Sequence, residues 1–132
     1  MSEVKSFRDL LIWQKGVELV KDIYSLTAGF PRNEIYGLSS QMQKAAVSVP
    51  SNIAEGFRRS HKKEYAQFLS IALGSLGELE TQVEISKKLG YLGESVYQKT
   101  ITDIEILCKM IQSLLKKVRV AFTPDSRLTT ID

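Results

Sequence analysis

The sequence predicts an all-α fold, an antiparallel up-down-up-down four-helix bundle, and three observations carry that expectation. Apolar residues recur at three- and four-residue steps in four long stretches, and no segment alternates as a half-buried strand does. Glycine and proline fall mostly between those stretches rather than inside them. The connections are short, so consecutive helices become antiparallel neighbours.

The first helix spans about residues 9–28, with Leu10, Trp13, Val17, Val20 and Tyr24 as its stripe, Asp9 or Ser6 as its cap, and an end before Phe30-Pro31. The second spans about 33–57, with Leu38, Met42, Ala45, Val49 and Ile53 in line. Pro50 lies in its interior, where a missing backbone donor should kink it; Ser48, Ser51 and Asn52 are at hand for the freed polar groups. A three-helix alternative would need Pro50 to end this helix. Ser60 opens the third helix, whose seam of Tyr65, Leu69, Ala72, Leu76, Leu79 and Val83 ends at Leu89-Gly90. The fourth repeats Tyr97, Ile101, Ile104, Cys108, Ile111, Leu115 and Val118 to about Phe122. Residues 1–122 therefore form the bundle domain, and 123–132, which lack periodicity, a flexible C-terminal tail.

A chain of 132 residues is long enough for one domain with a real core. Its 43% hydrophobic and 25% charged residues describe a globular protein, and no apolar run reaches the roughly 18 residues of a membrane span. One cysteine and one histidine exclude a Cys/His zinc site, a disulfide framework and a paired-cysteine redox motif. The expectation is a non-enzyme with no cofactor and no metal. The N-terminus has no secretory pattern and the single thiol suits a reducing compartment, so the expected location is cytoplasmic. Apolar residues outside the stripes, among them Leu11, Ile12, Leu19, Ile23, Phe68, Ile71, Ile106 and Met110, exceed what one small core needs and point to self-association.

The net charge is only +3 and the pI about 9.0, so the distribution of charge matters more than its sum. An up-down bundle gathers the start of the first helix, the turn between the second and third, and the end of the fourth at one pole. That pole collects Lys5, Arg8, Arg58, Arg59, Lys62, Lys63, Lys116, Lys117 and Arg119, half of the 18 basic residues. The run Arg58-Arg59-Ser60-His61-Lys62-Lys63 at a helix start is suited to phosphate, and Phe57 and Tyr65 beside it are candidates for base stacking and equally good core residues. A solvated turn, with lysines complementing the fourth helix's dipole, explains the same residues equally well. His61 fits binding or capping better than proton transfer, and Cys108 reads as a small core residue.

Small residues Ala45, Ala46, Ala54 and Gly56, set against Ala72, Gly74, Ser75 and Gly77, predict a close approach of the second and third helices. Asn52 and Glu55, with Glu78 and Glu80 across that interface, read as a hydrogen-bonded structural network far better than as catalytic carboxylates, because no histidine, metal-ligand set or phosphate loop accompanies them. Pro50, Asn52, Glu55 and Gly56 are accordingly assigned to architecture.

The blocks Phe7-Arg8-Asp9-Leu10, Trp13-Gln14-Lys15, Tyr36-Gly37-Leu38-Ser39-Ser40-Gln41, Ser48-Val49-Pro50-Ser51-Asn52-Ile53-Ala54-Glu55-Gly56 and Glu64-Tyr65-Ala66-Gln67-Phe68-Leu69 carry a family resemblance. The chain resembles the four-helix bundle proteins encoded in intervening sequences of bacterial 23S ribosomal RNA genes, and their relatives, the accessory variability determinant proteins of diversity-generating retroelements. The likeness covers about residues 7–120. It implies a homopentameric, barrel-like ring with a basic surface; the retroelement relatives bind nucleic acid and the element's reverse transcriptase, and the intervening-sequence branch has no established enzymatic activity. The chain departs from the pattern at Gln43, where arginine is common, and at Gly16 and Gly77, where alanine is more usual. Residues and resemblance together predict a homo-oligomer that binds nucleic acid, structured RNA above all, with Arg58, Arg59, Lys62 and Lys63 contacting phosphates and Arg8, Lys44, Lys116, Lys117 and Arg119 in support. The alternative is a protein-interaction scaffold whose ring docks another protein, such as a reverse transcriptase.

Overall fold

A computed structural model describes residues 3–122, and the segment 123–132, expected to be a flexible tail, lies outside them. Four helices run α1 (Leu11–Thr27), α2 (Leu38–Phe57), α3 (Lys62–Lys88) and α4 (Glu94–Phe122), with short 3-10 turns at Phe7–Asp9 and Arg32–Glu34. Among the described residues there is no strand, and no helix is long and apolar enough to cross a membrane.

Contacts between successive helices fix their antiparallel order. Gly16 of α1 faces Pro50 of α2, while Thr27 at the other end of α1 accepts a hydrogen bond from Gln43 Nε2 at 3.1 Å. Ser48 and Ser75 share a hydroxyl hydrogen bond of 2.8 Å between α2 and α3; Gly56 abuts Tyr65 and Phe68 toward one pole, and Ser86 donates to Met42 Sδ toward the other. Tyr97 donates to Glu84, and Arg119 to Ser70 Oγ, so α4 descends alongside α3. Lys99 reaches Asp22 at 3.8 Å, and contacts between α1 and α4 close the bundle.

The helix ends differ from the sequence expectation for visible reasons. Ser6 and Asp9 form a capping box, but it caps the 3-10 turn, and α1 itself starts only at Leu11. The second helix starts at Leu38 rather than near Asn33, because Gly37 breaks the path and a Glu34 carboxylate oxygen takes up the Leu38 N–H at 3.1 Å. That backbone bond, followed by one from the Tyr91 hydroxyl, holds the Glu34 carboxyl below its usual range. His61, not Ser60, is the extended residue ahead of α3, and its side chain makes no cap hydrogen bond. Gly90, at φ 81°, ends α3 in a Schellman arrangement, with Tyr91 N–H on the Ser86 carbonyl and Gly90 N–H on that of Lys87. The helix assignment of α2 is continuous through Pro50.

The core follows the expected stripes in α2 and α3, where Met42, Ala45, Val49, Ile53, Leu69, Ala72, Leu76, Leu79 and Val83 are buried. In α4, Ile104, Ile111, Leu115 and Val118 are buried together with Leu107 and Thr100, while Tyr97, Ile101 and Cys108 are half-buried. In α1 the expectation holds only in part. The buried residues are Ile12, Gly16, Leu19, Ile23 and Thr27; of the predicted stripe, Leu10, Trp13 and Val20 are half-buried against the core, while Val17 and Tyr24 face outward, 41% and 48% exposed. This helix is apolar on two faces, so periodicity could not choose between them; Gly16 lies on the buried one, against the Pro50 ring. The discarded face is left as an apolar groove lined by Trp13, Val17, Val20 and Val47.

Candidate nucleic-acid interface

The basic pole is built from the N-terminal turn upward. Ser6 Oγ accepts the Arg8 N–H at 3.1 Å, Asp9 Oδ2 accepts the N–H groups of Lys5 and Ser6, and Gln14 Nε2 donates to the Arg8 carbonyl at 2.8 Å. These bonds pin a segment too short to hold its own shape. They set Phe7 against Trp13, with ring centroids 5.3 Å apart and planes tilted by 57°. The Arg8 guanidinium lies over the Phe7 ring at 4.7 Å, and that of Arg58, at the end of α2, over the same ring at 5.1 Å. Two arginines distant in sequence thus converge on one aromatic side chain.

Arg59 is held differently. It pairs with Glu55 one turn back at 2.6 Å and lies over Phe68 at 4.9 Å, so part of its charge is already met. Lys62 and Lys63 form the first turn of α3, exposed. Positive charge there opposes the helix macrodipole and costs stability, roughly 0.3–1 kcal/mol for each exposed charge. Dipole complementation therefore cannot account for these lysines, although it does account for Arg119 in the last turn of α4.

The other basic candidates sit further away. Arg119 meets α3 at Ser70, about 12 Å along that helix from Lys62. Lys116 and Arg119 share a shallow depression on the flank, and Lys117 is exposed beside them. Lys44 is exposed about 21 Å along α2 from Arg58, and the fold does not bring it to the pole.

At the far pole three lysines are met by carboxylates, while Arg32 is exposed and has no ion pair among the described residues. Lys87 pairs with Glu94 at 2.6 Å, Lys88 with Glu84 at 3.9 Å, and Lys99 with Asp103 at 2.7 Å as well as with Asp22. Among the described residues, Arg8, Arg58, Lys62 and Lys63 have no such pair, and they lie together at one end.

The residues assigned to architecture separate. Pro50 and Gly56 are buried at the two close helix crossings, whereas Asn52 donates to the Ser48 carbonyl and hydroxyl of its own helix, extending the Ser48–Ser75 link. Glu55 is exposed and belongs to Arg59, and Glu78 is exposed as well, so the expected carboxylate network across α2 and α3 does not form. Gly74 and Gly77 have open space where a Cβ would stand and do not serve the α2 contact expected of them; Gly56 does. Among the described residues no three His, Cys, Asp or Glu side chains converge as a metal site. The half-buried Cys108 thiol is pushed up by burial and then by Glu80 and Glu105, the reverse of an activated nucleophile.

A family model described as 23S rRNA-intervening sequence protein matches residues 8–113. The chain belongs to that family. Among solved structures, a protein of unknown function from the S23 ribosomal protein family of Bacteroides thetaiotaomicron is similar at 20% identity and a TM-score of 0.74, over 80% of this chain and 96% of that one. No curated protein sequence matches.

The two aromatic residues considered for base stacking take the core role that fits them equally well. Phe57 and Tyr65 meet each other edge to face at 6.1 Å, and burial raises the Tyr65 hydroxyl, so both are occupied within the fold. Phe7 and Phe68 carry the arginines instead. Only Phe7 left a trace in the sequence, as the neighbour of Arg8.

Proposed function

We propose that this protein is a non-enzymatic homo-oligomer that binds structured RNA through its basic pole. The observation that carries the reading is a grouping: among the described residues, Arg8, Arg58, Lys62 and Lys63 lie at one pole without carboxylate partners, whereas Lys87, Lys88 and Lys99 toward the other are paired. Two of those four oppose a helix dipole, a cost to folding that a polyanionic ligand would offset. The sequence resemblance, which implies a basic surface and nucleic-acid-binding relatives, supports nucleic acid as the ligand class.

Fluorescence anisotropy of labelled structured RNA and of duplex DNA across a salt series tests it. Four to six phosphate contacts predict a log-log slope of roughly −3 to −5, with RNA the tighter ligand. Absence of binding at low salt would end this reading and turn the search to proteins docking on the assembled bundle.

Self-association is proposed from the α1 face that the protomer leaves uncovered. Val17 and Val47 are each at least 40% exposed in a groove that Pro50 also lines, and Tyr24, 48% exposed, lines the adjoining depression with Val47. A second copy covering this groove, repeated around a ring, gives the pentamer that the sequence resemblance implies and sets several basic poles side by side. The double substitution Val17→Glu and Val47→Glu is expected to yield monomers by light scattering while leaving helicity unchanged. An assembly of unaltered mass would exclude this face.

A further inference from the structure

Phe7 is the ring that Arg8 and Arg58 share. We propose that it is a positioning residue for nucleic-acid binding, holding Arg8 and Arg58 together as one phosphate-binding pair; the inference rests on the RNA-binding reading above. The two guanidiniums come from opposite ends of a helical hairpin and repel each other, yet both lie over one ring, at 4.7 and 5.1 Å from its centroid. The negative face of the aromatic quadrupole attracts each of them. It does so without a carboxylate, so their full charge stays available to a ligand. Arg59, by contrast, is held by Glu55 and spends part of its charge there.

The ring is itself fixed. Trp13 packs against it, the capping box of Ser6 and Asp9 sets the turn that carries it, and Gln14 holds the Arg8 carbonyl. A chain of local contacts therefore leads from the N-terminal turn to the guanidinium at the end of α2. Positions fixed before the ligand arrives lower the ordering cost of two long side chains, which would otherwise weaken binding.

The test uses Phe7→Leu, which keeps the apolar contact with Trp13 and removes the aromatic face, and Phe7→Tyr, which restores the face. Labelled structured RNA is titrated against the full chain over a salt series. Phe7→Leu is expected to bind about three- to tenfold more weakly with a salt slope shallower by about one contact, and Phe7→Tyr to bind as the parent does. In an Arg8→Gln/Arg58→Gln background, Phe7→Leu is expected to cost nothing more. Equal affinity and slope for parent and Phe7→Leu would overturn the inference, as would a full additional loss in the doubly substituted background, which would make Phe7 merely structural. If Phe7→Leu does not fold, Phe7→Met takes its place against the same criteria. Failure of the parent to bind would instead overturn the RNA-binding reading, and this inference with it.

Discussion

Replacing Gly56 with alanine is expected to destabilise the protein by about 3 kcal/mol, seen as a fall in melting temperature of about 10 °C. A Cβ at this position would stand 2.7 Å from the Cβ of Phe68, 3.1 Å from Cδ1 of Tyr65 and 3.3 Å from the Tyr65 carbonyl oxygen. The Phe68 Cβ and the Tyr65 carbonyl cannot swing aside as the tip of a long side chain can, so α2 and α3 must separate. The gain in helix propensity from glycine to alanine, about 1 kcal/mol, is too small to compensate. Gly16 provides the contrast. An alanine Cβ there would lie 3.3 Å from the Pro50 Cβ and 3.4 Å from its Cδ, a displacement of a few tenths of an ångström that the propensity gain can offset. Gly16→Ala is expected to fall within about 1 kcal/mol of the parent, by differential scanning calorimetry of both variants. Equal stability for parent and Gly56→Ala would mean that this crossing is looser than its geometry.

How much of this was legible in the sequence follows from which forces are local. Helix existence and order came through because the stripes of α2, α3 and α4 each have one apolar face. The register of α1 did not, because Ile12, Leu19 and Ile23 on one side and Trp13, Val17 and Val20 on the other satisfy the same period. Which side is buried is settled by packing against α2, where Gly16 meets Pro50, and that contact exists only in the folded bundle. The start of α2 was misplaced for a similar reason: Glu34 looks like a helix residue in sequence but acts as a cap, held from across the fold by Tyr91.

The pole shows the same division. Topology alone gathers the N-terminal turn, the loop between α2 and α3, and the end of α4, so the basic cluster was visible from charge and helix count. Its internal structure was not. Nothing in the spacing of Phe7, Arg58 and Phe68 reveals that aromatic rings, rather than carboxylates, hold Arg8, Arg58 and Arg59. Nor does sequence show that Glu55, read as a buried network residue, is exposed and bound to Arg59. Lys44 looked available because it is exposed and basic; its distance from the pole follows only from its register on α2.

Reversing Arg58, Arg59, Lys62 and Lys63 to glutamate together is expected to abolish RNA binding, by at least about 100-fold at low salt, without loss of the fold. The two effects are opposite in sign, which is what makes the variant informative. Glutamate in the first turn of α3 favours the helix dipole, where the native lysines oppose it, and should return roughly 0.3–1 kcal/mol at each position. Arg59→Glu removes an exposed pair with Glu55, worth about 0–1 kcal/mol, and sets two carboxylates one turn apart. The net change in melting temperature should be a few degrees at most, and the oligomer, whose proposed face lies along α1 and α2, should keep its mass. Reversal of Lys87, Lys88 and Lys99 at the far pole supplies the control: it breaks ion pairs but should weaken RNA binding by less than about threefold, since only screened long-range charge is altered. Residues selected only for folding would not be expected to sit where glutamate is the more stable choice. A variant that gains stability and loses its ligand would identify Lys62 and Lys63 as retained for binding; one that keeps the ligand would remove the basic pole from the function of this protein.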